Sequence, residues 1–102
     1  MRMEDLVRFG VPAAVCALWA EREGASLLPL QELAVQQHGL FDPGNVLIQA
    51  PTSSGKTFVG ELAAVQAALR RKKAVYLVPL KALAEEKYAD FAAKYAEYGL
   101  DV

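Results

Sequence analysis

The run Ala50-Pro51-Thr52-Ser53-Ser54-Gly55-Lys56-Thr57 combines small residues, a glycine, a lysine and a hydroxyl in the order of a phosphate-binding loop. Small residues let the backbone wrap a phosphate closely, with consecutive N–H groups pointing inward. A helix beginning at the end of the loop adds unpaired N–H groups and a partial positive charge. In such a loop Ser53, Ser54, Gly55, Lys56 and Thr57 hold the nucleotide. Lys56 reaches the β- and γ-phosphates as a point charge, and the Thr57 hydroxyl ligates Mg²⁺. These two side chains are the candidate catalytic groups. The first position departs from the general pattern, with Ala50 in place of glycine. The bland alternative is a glycine-containing loop that happens to carry a surface lysine.

The elements that would position this loop lie on either side of it. Asn45-Val46-Leu47-Ile48-Gln49 precedes it as a short apolar run without polar alternation, the pattern of a parallel strand covered on both faces. A helix is expected from about residue 56 to 71, with Phe58, Leu62, Val65 and Leu69 in one buried stripe. Ala74-Val75-Tyr76-Leu77-Val78 reads as a second apolar strand, so the two strands and their helix form a right-handed βαβ unit. Pro79 ends that strand. A last helix runs over about residues 80–98, with Ala84, Tyr88, Phe91 and Tyr95 on one core-facing side. Gly99-Leu100-Asp101-Val102 reads as the start of a third strand. Upstream, Pro12 suits the first turn of a helix to about Glu23, and Gly24-Ala25-Ser26 breaks it. Pro29 opens another helix to about His38, with Gly39 as its C-cap. Phe41-Asp42-Pro43-Gly44 is a turn. The expected fold class is therefore α/β, an incomplete parallel sheet of about two strands with four flanking helices. Residues 1–44 form an N-terminal helical part and residues 45–102 the βαβα part.

Lys81 falls in the first turn of the last helix, just past the carboxyl end of the second strand. A cation there is mildly disfavoured, by roughly 0.3–1 kcal/mol. It is also where ligands of open α/β sheets bind. A docked phosphate would be held by the lysine and the helix N–H groups together. The residue types support that contact and a solvated lysine equally. The cluster Arg70-Arg71-Lys72-Lys73 could meet phosphate or, more simply, complement the negative end of its helix on a solvated face.

Composition narrows the class further. The chain has 102 residues, 54% hydrophobic and 23% charged, with net charge −1 and pI near 5.8. That is a globular composition, room for one domain or part of one. A free-standing nucleic-acid binder is more often basic, so any such contact must be local. The single Cys16 excludes an intrachain disulfide and reads as a buried thiol. This fits an intracellular protein, cytoplasmic or, in a eukaryote, nuclear. The apolar run 11–20 is too short to span a membrane. Glu4, Asp5 and the following Glu21-Arg22-Glu23 make it a poor signal peptide. His38 reads as a helix-end residue.

Three segments together resemble the superfamily 2 helicases of the DEAD/DEAH-box or DExH kind. Leu28-Pro29-Leu30-Gln31-Glu32-Leu33-Ala34 looks like the Q motif, with Gln31 at the position that reads adenine. An amide offers the donor and acceptor that adenine N6 and N7 require; a polar residue in a helix first turn is the other reading. Ala50 to Thr57 looks like helicase motif I, in which alanine is common at the first place. Pro79-Leu80-Lys81-Ala82-Leu83-Ala84-Glu85-Glu86-Lys87 looks like motif Ia, whose Leu80 and Lys81 would contact the nucleic-acid backbone. Gln31 lies 25 residues before Lys56, and the third segment begins 23 residues after it, as a βαβ unit would require.

The resemblance implies the ATP-binding half of a first RecA-like domain, with ATP and Mg²⁺ as cofactors. Its partners would be DNA or RNA and the remainder of the helicase chain, with no membrane. The 102 residues carry no Asp-Glu-x-His or Asp-Glu-x-Asp segment, no Ser-Ala-Thr motif and no second lobe. The helicase would thus be represented by its N-terminal part, able to hold a nucleotide without cleaving it. A non-catalytic nucleotide-binding module, or a P-loop ATPase that does not act on nucleic acid, is the alternative.

Overall fold

Pro12 and Gly24 bracket the first α-helix of the computed structural model, which describes residues 1–42, 44, 46–50, 55–100 and 102. This helix, α1, spans Ala13–Glu23, and Gly24 leaves it at φ 105°. A 3₁₀ helix over Met3–Phe9 precedes it. The Asp5 carboxylate accepts from the Arg2 N–H at 3.0 Å, which satisfies one of the donors a helix start leaves free. α2 spans Pro29–Gln36, with Pro29 at its first position, where a missing N–H costs nothing. Its C-cap is Gln37, two residues before Gly39. α3 spans Lys56–Leu69 and α4 spans Lys81–Tyr95, continued by a 3₁₀ turn over Ala96–Tyr98.

The N-terminus is tied back to the loop between α1 and α2. Met3 N donates to Ala25 O at 2.8 Å and Leu27 N to Met1 O at 2.9 Å. This brings Met3 and Leu6 under α1. The core gathers Met3, Leu6, Val11, Val15, Trp19, Val35, Phe41, Phe58, Leu62, Val65 and Tyr95. Trp19 meets Phe58 edge to face, with ring centroids 5.5 Å apart, an arrangement worth about 0.5–1.5 kcal/mol beyond its area. Each large side chain buried here contributes about 1.5–3 kcal/mol. The stripe read from Phe58, Leu62 and Val65 is thus the face by which α3 joins the core.

The expected α/β architecture is not what the chain adopts. Among the described residues there is no strand and no sheet, only an isolated antiparallel bridge between Arg2 and Ser26. Residues 46–50 and 74–78 belong to no ladder, and Leu47, Val75 and Leu77 are 85%, 73% and 87% exposed. The physical reason is one of partners. Two apolar runs can form at most one ladder, leaving an unpaired edge on each and bare faces above and below. So small a sheet does not offset the cost of ordering it. Apolar, β-branched composition states what a segment would bury, and these residues supply too little to bury it against. The βαβ unit is corrected with it.

The last helix is corrected in part. Tyr95 is buried and Phe91 partly so, but Ala84 and Tyr88 are exposed, Tyr88 by 59%. Without a sheet beside it, the N-terminal half of α4 faces an open groove of about 670 Å³ instead of a core. Tyr76 lines this groove, its ring 5.4 Å from that of Phe91. Several expectations fall outside the described residues: Pro43 of the turn, Asn45 of the first run, Pro51, Thr52, Ser53 and Ser54 of the loop, and Asp101 of the expected third strand.

Candidate nucleotide-binding site

Gly55 stands at the N-cap of α3 in the left-handed region, φ 86°, and among the described residues no side chain caps the helix. Glycine takes this conformation at no steric cost. An uncapped helix start leaves backbone donors free and carries a partial positive charge, the arrangement that receives an anion. Lys56 and Thr57 occupy the first two helical positions and both are exposed. The Lys56 Nζ donates to Ala50 O at 2.8 Å. The lysine thereby joins the first residue of the motif to its last turn. A phosphate entering here exchanges that carbonyl for a stronger, charged acceptor.

Gln31 adjoins this corner. It is the third residue of α2 and 5% exposed. Its Oε1 accepts from the Leu28 N–H at 2.8 Å, the reciprocal half of a capping box. Its Nε2 donates to Gly55 O at 3.1 Å. Both functions of the amide are therefore engaged, one with its own helix and one with the loop. The approach is close: a Cβ built on Gly55 would lie 2.5 Å from Gln31 Nε2 and 2.7 Å from Leu28 Cδ1. The two segments singled out in the sequence, around Gln31 and around Lys56, are thus brought together.

Thr57 is the one expected Mg²⁺ ligand among the described residues, which hold no group of three His, Cys, Asp or Glu side chains able to bind a metal. That donor set fits Mg²⁺ carried by phosphate, which takes one or two protein oxygens and fills its shell with phosphate oxygens and water. Leu80 and Lys81 lie at the start of α4, Leu80 as the N-cap with no side-chain cap bond, and both are exposed. Among the described residues no hydrogen bond or ion pair joins Lys81 to Gln31, Gly55 or Lys56.

One arrangement escaped the sequence. Glu61, on α3, and Lys94 and Tyr95, on α4, are buried together. Glu61 Oε2 accepts from Lys94 Nζ at 3.2 Å and from the Tyr95 hydroxyl. The Tyr95 oxygen accepts in turn from Trp19 Nε1 at 2.8 Å. Asp90 Oδ2 pairs with Lys94 Nζ at 3.0 Å. Burial pulls the Lys94 ammonium down, but Asp90 and Glu61 outweigh it and hold the group above its ordinary range. Burial, then the bond to Glu61, pushes the Tyr95 hydroxyl far above its usual value. The signal was spacing: Glu61 stands three residues after Phe58 and four before Val65, on the apolar stripe itself. Cys16, 3% exposed, is the buried thiol expected, and burial raises it.

A family model described as DEAD/DEAH box helicase matches residues 28–102. The chain is 46% identical over 83 residues to the ATP-dependent DNA helicase Hel308 of Methanocaldococcus jannaschii, covering 74% of this chain and 7% of that protein. Against Hel308 of Pyrococcus horikoshii it is 45% identical over 103 residues, covering 100% of this chain and 14% of that protein. Against Hel308 of Thermococcus kodakarensis it is 49% identical over 72 residues, 70% of this chain and 6% of the relative. The chain thus spans a small part of these relatives' length. No solved structure matches it.

Proposed function

We propose, from the premise that this chain belongs to the DEAD/DEAH box helicase family, that it is the ATP-binding segment of an ATP-dependent DNA helicase. In the full-length protein it couples ATP hydrolysis to movement along, or separation of, nucleic-acid strands. DNA is preferred to RNA because the similar Hel308 proteins are named as DNA helicases. The observation that carries the reading is the start of α3 at Gly55, without a side-chain cap among the described residues, with Lys56 and Thr57 exposed and Gln31 bonded to the Gly55 carbonyl.

In this reading Ser53, Ser54 and Gly55 present backbone donors to the phosphates. Lys56 releases the Ala50 carbonyl and neutralises charge at the β- and γ-positions. Phosphoryl transfer is catalysed by such positioning and charge stabilisation. Thr57 offers its hydroxyl to Mg²⁺, which when bound supplies further charge neutralisation on the phosphate oxygens. Gln31 turns its amide to the adenine edge, giving up its bond to Gly55 or sharing it. Leu80 and Lys81 at the start of α4 hold the strand backbone, Lys81 by charge.

ATP-driven displacement of an annealed DNA strand by the full-length protein tests this directly. Displacement that needs ATP and is abolished in Lys56→Ala is expected. Displacement that persists in Lys56→Ala, or none with ATP present, contradicts it.

A further inference from the structure

The buried cluster around Glu61 has no part in the roles assigned above. It is nonetheless a polar junction within the interior of the described residues. Glu61 is 4% exposed and Lys94 8%. The cluster joins three helices that are distant in sequence: Trp19 from α1, Glu61 from α3, and Asp90, Lys94 and Tyr95 from α4. Among the described residues, no buried side-chain nitrogen or oxygen lacks a hydrogen-bond partner, so the network is complete. Its stability value does not explain it. Burying an ion pair costs desolvation that the pair's attraction only balances, and an apolar replacement is often as stable. A satisfied polar network does something an apolar contact does not: it admits one relative placement of the helices that share it.

The placement matters because of where those helices begin. α3 begins at the phosphate loop, and Glu61 stands one helical turn beyond Thr57, on the same row of the helix. α4 begins at Lys81 and ends in the residues that grip Glu61. Each helix is a rigid element with a ligand-facing end, and the carboxylate is the point where the two are locked. We propose that Glu61 is a positioning residue that couples the nucleotide loop to the nucleic-acid end of α4, so that occupancy of one alters affinity at the other. The inference rests on the functional reading above and adds a residue to it. Coupling through such a junction is reciprocal by necessity: each ligand changes the other's affinity by the same factor.

The experiment uses the full-length protein, a non-hydrolysable ATP analogue and a single-stranded oligodeoxythymidine. The affinity of each is measured with the other absent and saturating. The unsubstituted protein is expected to show reciprocal coupling in the range of about 5–150-fold. In Glu61→Gln and in Tyr95→Phe that factor falls to within about twofold of unity, while each ligand alone binds within about twofold of its original affinity. Leu62→Ala, which opens the core one residue away without touching the carboxylate, keeps the original coupling. If Glu61→Gln does not fold, Tyr95→Phe, which loses a single hydroxyl, decides the matter alone. Coupling retained in the folded variants overturns the proposal. So does coupling lost equally in Leu62→Ala, since packing would then be the cause. Binding of both ligands without coupling in the unsubstituted protein overturns it and leaves the functional reading standing. Failure of the unsubstituted protein to bind either ligand overturns the functional reading, and this inference with it.

Discussion

Gly55→Ala perturbs the corner on which the nucleotide site depends, and its cost can be worked from the geometry. At φ 86° an L-residue pays about 1–2 kcal/mol that glycine does not. The new methyl would also arrive 2.5 Å from Gln31 Nε2 and 2.7 Å from Leu28 Cδ1. Both are the ends of flexible side chains and can swing aside. When Gln31 does so, it abandons Gly55 O and loosens its bond to the Leu28 N–H. These partners are only partly buried, so leaving them unsatisfied costs at most about 1–3 kcal/mol. The sum is a loss of at most about 2–5 kcal/mol, a large share of the roughly 5–15 kcal/mol that holds a domain folded. Urea unfolding of the protein and of Gly55→Ala, followed by circular dichroism, measures it. The double variant Gln31→Ala/Gly55→Ala gives a sharper test. Once Gln31 is gone, adding the methyl should cost the backbone part, about 1–2 kcal/mol, and the displacement of the Leu28 side chain, without the hydrogen-bond part, because the two sites are coupled. A Gly55→Ala loss below about 0.5 kcal/mol, the range of inconsequential surface changes, would refute the reasoning. Strict additivity in the double variant would show that Gln31 and Gly55 do not meet.

Three further outcomes follow from the same geometry. Lys94 and Tyr95 hold their protons more tightly folded than unfolded, so the stability they contribute is present below about pH 10 and is lost as pH rises beyond it; melting temperature against pH should fall more steeply for the protein than for Tyr95→Phe, and parallel curves would deny the effect. Gln31→Ala should weaken discrimination between ATP and GTP more than phosphate binding in a competition titration, and equal loss of both nucleotides, or none, would remove its adenine role. Lys81→Ala in the full-length protein should lower DNA affinity about uniformly across sequences and reduce the slope of log K against log salt by about one, whereas an unchanged slope would make Lys81 a solvated residue.

The helices could be read in advance because their punctuation is local. Pro12, Gly24 and Pro29 act through their own backbone restrictions, and the Phe58, Leu62, Val65 stripe needs only a helix and a core. The extended runs at 46–50 and 74–78 could not be read this way, since a strand depends on a neighbour that composition does not disclose. Leu77, apolar and 87% exposed, shows the gap between what a residue favours and what its surroundings allow. The 3₁₀ helix at Met3–Phe9 hides in a stretch with no strong periodicity, fixed by the Asp5 bond and by pairing to the Ala25 and Leu27 backbone. At the site, residue types and spacing pointed to Gln31 and Lys56, and the fold placed the glutamine against the loop. They did not reveal that the Gln31 amide would already be engaged on both sides, because that depends on how closely α2 approaches Gly55. Glu61 stayed unread for a related reason: a charge on an apolar stripe is explained only by the partners that α4 brings to it, Lys94 and Tyr95.

Equilibrium binding of a non-hydrolysable ATP analogue, with Mg²⁺ present, to the full-length protein and to its Lys56→Ala variant tests the central claim most directly. Saturable binding that is lost in the variant, because the phosphates there have lost their fixed cation, is the result expected. Equal affinity in the two proteins would contradict it, and with it the assignment of Gly55-Lys56-Thr57 as the nucleotide site.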